Sequence, residues 1–251
     1  MARILRNETS LRRRQEAIQR ELNARQFARV IVWGAALALA AWGVYATVRN
    51  ESYIGVVLGG LVVVLAAGYE VHLREIAQES RNLEGGRRGE QKMADRLAEQ
   101  LADDHVILND LELRIAHERA QIDHLVIAPA GIYVIESKFW AGTLAGDVHA
   151  AQWTQRKNRG PVRQVKSPVQ QCERQRRMFI TLLAAKVPED RIHALAVFTH
   201  PDVKLQIAGG QGKAFLLRDA IRFINDHCFD PPVLTPAQVL ELAEQINRGQ
   251  V

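Results

Sequence analysis

Two uncharged apolar runs near the N-terminus constrain this chain more than any other feature: VIVWGAALALAAWGVYATV over residues 30–48 and SYIGVVLGGLVVVLAAGY over 52–69. At about 1.5 Å per helical residue they extend roughly 27 to 29 Å, close to the thickness of a bilayer's hydrocarbon core, about 30 Å. Only Arg49, Asn50 and Glu51 separate them. One continuous helix would hold that arginine near mid-bilayer at a cost of about 2.5 to 3.5 kcal/mol, so the pattern predicts a transmembrane helical hairpin. Trp33, Tyr45, Tyr53 and Tyr69 lie near the ends of the runs, where interfacial rings are favoured. A signal peptide has a shorter apolar region and no second span directly after it. A pair of buried helices in a soluble core rarely has two adjacent runs of this length.

The charge pattern agrees. Residues 1–29 hold eight arginines against Glu8, Glu16 and Glu21, which accounts for the whole net charge of +5. The basic character therefore belongs to an N-terminal arm, and the rest of the chain is balanced. An arginine-rich arm stays cytoplasmic and two spans return the chain to the same side, which predicts cytoplasmic termini and a bacterial inner-membrane location. Gly55 and Gly59 form a GxxxG, and Gly34 with Ala38 a small-xxx-small pair. Both spacings suit close packing of the two spans or a homodimer through Gly55 and Gly59.

The expected order is a basic arm (1–29), a hairpin (30–69), a linker helix (70–84) ended by Gly85 and Gly86, and one α/β domain (85–251). Within that domain the pattern predicts a helix over 88–102, a strand over 106–113, a β-hairpin over 120–138 and a short strand pair over 142–153. A helix over 168–185, a strand over 192–199, weaker strands over 203–217 and helices over 219–227 and 236–247 follow. Thr235, Pro236 and Gln238 supply the last helix with an N-cap, a first-turn proline and a capping-box partner. Strands flanked by helices make a mixed α/β sandwich. Two distant cysteines, Cys172 and Cys228, exclude a disulfide framework or a cysteine zinc site.

Chemistry concentrates in the hairpin AQIDHLVIAPAGIYVIESK. Alternation puts Gln121, Asp123, Leu125 and Ile127 on one face, and Ile132, Val134, Glu136 and Lys138 on one face of the returning strand. With Pro129 and Ala130 as the central pair of the turn, Asp123 stands opposite Glu136 and Gln121 opposite Lys138. A three-residue loop bulged at Gly131 would instead separate the carboxylates. Two carboxylates within about 5 Å repel unless a cation lies between them, and oxygen ligation suits Mg²⁺ or Mn²⁺. Lys138 beside them can orient or deprotonate a water, a set that fits phosphodiester hydrolysis. An exposed sheet face with chance ion pairs has the same letters.

Gly89-Glu90 at a helix start, Gln121-Ile122-Asp123-His124 on a strand, Gly131, Val134-Ile135-Glu136-Ser137-Lys138, then Gly142, Gly146 and Trp153, resemble the nuclease-related (NERD) domain. That family is assigned by motif to the PD-(D/E)xK, restriction-endonuclease-like superfamily, which implies a restriction-endonuclease-like mixed sheet flanked by helices. The resemblance covers about residues 85–200. It implies Asp123 and Glu136 as metal ligands, Lys138 as the catalytic lysine and Glu90 as an acidic residue approaching from a helix. Ser167-Pro168-Val169-Gln170-Gln171 resembles the family's Asn-Pro-x-x-Gln, which would make Gln171 the site glutamine; serine replaces the usual asparagine.

Between Val148 and Lys186 nine basic residues face one acidic residue, Glu173. Arg156, Lys157, Arg159, Arg163, Lys166, Arg174 and Arg177 are the candidate contacts to nucleic acid, whose affinity comes largely through phosphates. Arg176 and Lys186 complete the set. Trp140 or Trp153 would stack on a base or pack in the core. Two functions fit: a membrane-anchored, divalent-metal-dependent nuclease acting on DNA or RNA, or a catalytically silent module that holds nucleic acid or a protein partner at the membrane.

Overall fold

The computed structural model describes residues 2–6, 10–50, 53–115, 117–183 and 186–249. Glu8 of the arm, Glu51 and Ser52 between the two apolar runs, and Ala184 and Ala185 at the end of an expected helix lie outside the described residues. The chain divides into two compact units, Leu11–Gly85 and Met1–Ser10 with Gly86–Val251.

Both apolar runs are helical, in α1 (Ser10–Asn50) and α2 (Ile54–Gln100), and both helices are long and apolar enough to cross a membrane. Most of their large apolar side chains, among them Ile31, Leu37, Trp42, Val57 and Leu65, are exposed. This is the reverse of a soluble core. Gly55 packs on Gly43, and a Cβ placed at Gly59 would lie 2.9 Å from Ala40 Cα. The GxxxG thus lets α2 press against α1 within one chain. Its partners are Gly43 and Ala40, whereas a Cβ at Gly34 would meet no described atom of α2 within 4 Å. Arg29 Nε pairs with Glu70 Oε2 at 2.8 Å and joins the two helices.

Gly85 and Gly86 do not end a helix, because α2 runs through them to Gln100. Each glycine costs about 1 kcal/mol in a helix interior. The strong helix formers on both sides, and the burial of Met93, Leu97 and Leu101 beyond them, outweigh that cost.

The larger sheet has the order β1 (Arg3–Arg6), β2 (Val106–Ile115), β3 (Glu118–Ala128), β4 (Gly131–Lys138), β8 (Ile192–Phe198) and β10 (Ala214–Leu216). β2, β3 and β4 form an antiparallel meander, while β1 joins β2, and β8 joins β4 and β10, in parallel. A smaller sheet has the order β7 (Arg163–Lys166), β6 (Gln152–Arg156), β5 (Gly142–Asp147) and β9 (Val203–Ala208).

Helices cover both faces of the larger sheet, because its central strands are apolar on both sides. On one face Leu125, Ile127, Ile132 and Val134 pack with Phe179 of α3 (Pro168–Leu183) and Leu242 of α5 (Pro236–Asn247). On the other, Val126, Tyr133 and Ile135 pack with Leu97 of α2 and Ile224 of α4 (Leu217–Asp226). Thr235 caps α5 in a full capping box with Gln238. The architecture is mixed α/β, with mixed sheets flanked by helices.

Candidate functional site

The β3–β4 ladder runs from Ala128–Gly131 to His124–Ile135, with Pro129 and Ala130 as the central pair of the turn. The four-residue loop therefore sets the register, and just beyond the last pair Asp123 takes its hydrogen bonds from Ser137, the neighbour of Glu136. The expected face for Gln121 is corrected. Leu125 and Ile127 share one core with Ile122 and Ala120, so the alternation slips by one residue around Asp123. β2 slips at the same level, where Leu108 and Leu111 share that core and Asp110 between them takes φ 52°. Because both strands turn together, their register survives, from Asn109–His124 to Leu111–Ile122. Gln121 is left exposed, its amide donating to Asp110 Oδ1 at 2.7 Å.

Asp123 accepts two hydrogen bonds at Oδ2 from Ser137, from the backbone N–H at 2.8 Å and the hydroxyl at 3.3 Å. Glu136 is buried and held from two directions. Lys138 donates to its Oε1, while Gln175 Nε2 donates to Oε2 at 3.1 Å and to the Gln121 carbonyl at 2.8 Å. Glu90 comes from α2. A Cβ on Gly89 would stand 2.7 Å from Thr199 Oγ1 and 2.9 Å from Phe139 Cβ, so glycine allows α2 to approach the ends of β4 and β8.

The electrostatics show how closely these groups interact. Burial, followed by the charges of Asp110 and Glu136, raises the Glu90 carboxyl from 4.5 to about 7, opposed by Lys138. Burial also holds the Asp123 carboxyl well above its usual range, reinforced by Glu136 and Glu90 and opposed by Lys138 and the Ser137 N–H. Burial pulls the Lys138 ammonium down, but the attraction of Glu136 and Asp123 outweighs it and the net shift is upward. One cation thus serves several crowded carboxylates.

Asp123, Glu136, Lys138 and Glu90 are brought together, and two further residues join them. Asp110 lies on β2 between the residues paired with His124 and Ile122, and its charge acts on Glu90. Its signal in the sequence is Asn109-Asp110 interrupting an apolar strand, a pair that tolerates positive φ. Gln175 is the glutamine that reaches Glu136; Gln171, one turn earlier on α3, is exposed. Ser167 does cap α3, its hydroxyl accepting from the Gln170 N–H at 3.4 Å.

Arg156, Lys157, Arg159, Arg163 and Lys166 are exposed on β6, β7 and the loop between them, and Arg174 and Arg177 are exposed on α3. Arg176 is committed elsewhere, donating to the carbonyls of Ile192 and Glu189 and pairing with Glu173. Trp153 is a core residue, with Gly146 against its ring and its Nε1 donating to the Asp147 carbonyl at 2.8 Å.

Among the described residues no group of three His, Cys, Asp or Glu side chains is arranged to hold a metal ion. Mg²⁺ needs only one or two carboxylates, with waters and a substrate phosphate completing its shell. Two observations fit a divalent cation here: the carboxylates with raised pKa values, and Gln175 Oε1, buried beside Glu136 without a hydrogen-bond partner.

A mixed sheet with an acidic cluster and a lysine at one strand end marks the α/β domain. Residues 85–199 match the family model described as the nuclease-related domain. An uncharacterized protein of Bacillus anthracis is 47% identical over 38 residues, which is 15% of this chain and 18% of that protein. No solved structure matches the chain.

Proposed function

We propose that this protein is a membrane-anchored, divalent-metal-dependent nuclease that hydrolyses phosphodiester bonds of DNA or RNA at the cytoplasmic face. The observation that carries the reading is the convergence of Glu90, Asp123, Glu136 and Lys138 within a nuclease-related domain. Asp123 and Glu136 are the residues to hold Mg²⁺ or Mn²⁺, which when bound polarises a phosphate oxygen and makes water more acidic. Lys138 then exchanges its contact with Glu136 for a phosphate oxygen or the attacking water. Glu90, with a pKa of about 7, is suited to take a proton near neutrality. Gln175 fixes Glu136, and the exposed basic residues of β6, β7 and α3 hold the phosphate backbone.

Two apolar helices support the anchor, and the N-terminal strand supports the topology. β1 pairs with β2 of the same sheet, a pairing that supports residues 3–6 and the α/β domain sharing one side of the bilayer. That fits two crossings and cytoplasmic termini, with the bacterial inner membrane as the location. Homodimerisation would use surfaces beyond the Gly55 and Gly59 contact with α1.

The test is cleavage of plasmid, single-stranded DNA and RNA by the intact chain with Mg²⁺, Mn²⁺ or EDTA. Lys138→Ala should lower the rate by at least about a hundredfold while nucleic-acid binding persists. A second reading, a silent module tethering nucleic acid or a protein, draws on the existing Lys138 to Glu136 ion pair, which gives Glu136 a cationic partner without a metal. No cleavage with any metal, together with binding lost in Arg174→Ala/Arg177→Ala, would establish the tether instead.

A further inference from the structure

At the ends of α2, β8 and α4 lies a cavity of about 420 Å³ that the proposed hydrolysis does not use. Its volume falls within the range of small-molecule pockets, about 300 to 1,000 Å³. One wall is apolar, formed by Phe198, Val203, Leu217 and Ile221. The cavity is also lined by Lys92, Arg96 and Arg218, with no carboxylate among the described lining residues. Lys92 spends one donor on the Thr199 carbonyl at 3.1 Å and keeps the others. Among the described residues Arg96 and Arg218 are ion-paired with surface neighbours, Glu99 at 3.2 Å and Asp219 at 3.9 Å, contacts that contribute little and yield readily to a better anion.

Three cations grouped against an apolar wall select a ligand with concentrated negative charge at one end and an uncharged, flat or apolar body at the other. The location narrows the choice. Phe198 pairs across the sheet with Lys138, and Thr199, the next residue, donates its N–H to the Lys138 carbonyl at 3.0 Å. Lys92 follows Glu90 by two residues on α2. The cavity is thus bounded by the same helix and strand ends that carry Glu90 and Lys138, although neither side chain lines it.

We propose that this cavity binds a nucleoside phosphate, with the phosphate on Lys92, Arg96 and Arg218 and the nucleoside against Leu217 and Ile221. The inference rests on the nuclease reading for its choice of ligand, the nucleotide being either the end of a strand presented to the acidic cluster or a free mononucleotide. The site sits on the helix and strand ends that also position Glu90 and Lys138.

Binding is measured by equilibrium dialysis on the intact chain in detergent, with EDTA present so that no divalent metal contributes. The probes are deoxyadenosine monophosphate, deoxyadenosine, inorganic phosphate and a short oligonucleotide with or without a 5′-phosphate. Deoxyadenosine monophosphate should bind at least about tenfold more tightly than either of its halves, and Arg96→Ala/Arg218→Ala should weaken it at least about tenfold. Both arginine side chains are exposed, so the double variant should keep the wild-type melting temperature. Competition by the phosphorylated oligonucleotide alone identifies a strand end, and absence of competition identifies the free nucleotide; both support the site. No binding of deoxyadenosine monophosphate, or equal binding by the double variant, overturns it. Mononucleotide binding without cleavage under any metal would sink the nuclease reading and leave the cavity assignment standing, whereas cleavage without mononucleotide binding would do the opposite.

Discussion

Glu136 is a buried carboxylate whose two oxygens are each taken by a donor, Lys138 from its own strand and Gln175 from α3. Gln175→Leu keeps the volume but strands Glu136 Oε2 and the Gln121 carbonyl. It should cost about 1 to 3 kcal/mol in denaturant unfolding and slow metal-dependent cleavage; an unchanged midpoint would show that the amide does not hold Glu136. Glu90 gives a pH prediction. Its folded-state pKa of about 7 exceeds its ordinary 4.5, so the folded protein holds the proton more tightly than the unfolded chain. Metal-free stability should therefore fall as pH rises from 4.5 toward 7, and level off above that. Glu90→Gln should flatten this slope, and Mg²⁺ should stabilise the wild type more at pH 8 than at pH 5. A melting series across those conditions reads both effects. Asp123, Glu136 and Lys138 were legible as residues because their spacing survives in one hairpin. Gln175 was not, since two glutamines one helical turn apart look alike until the helix is docked.

At the scale of elements, the approach of α2 to the ends of β4 and β8 decides whether Glu90 joins the cluster. Gly89→Ala would push against Phe139 and Thr199. Overpacking of this kind costs typically about 1 to 3 kcal/mol, and the displaced helix should lower cleavage more than stability. Equal cleavage by Gly89→Ala and wild type, per folded molecule, would show that the helix position is immaterial. The hairpin register was legible from the Ala128 to Gly131 turn. The slip of alternation at Asp110 and Asp123 was not, because positive φ at an aspartate is a local choice that sequence permits without requiring. The continuity of α2 through Gly85 and Gly86 was hidden for a related reason. Glycine lowers helix propensity, and only the burial of Met93 and Leu97 on the sheet shows what compensates.

At the scale of the whole molecule, the strand β1 links the first residues of the chain to the sheet that carries the candidate site. Reporter fusions at residue 10 and at the C-terminus should both report cytoplasm. A C-terminal reporter on the far side of the membrane would sink the two-span reading. Deleting residues 1–6 should leave the α/β domain on the same side but expose the edge of β2 and lower its melting temperature.

The sequence by itself determined the apolar helices, the mixed α/β class and the identity of the acidic and lysine residues, because these depend on local period, length and composition. Only the tertiary structure decided that Arg3–Arg6 is a sheet strand, that Gln175 and Asp110 join the cluster, that Arg176 is spent on the Ile192 and Glu189 carbonyls, and that a cavity lined by basic residues lies at the ends of α2, β8 and α4. Each depends on contacts between residues far apart along the chain, where spacing carries no information and the energy comes from burial, docking geometry and paired charges.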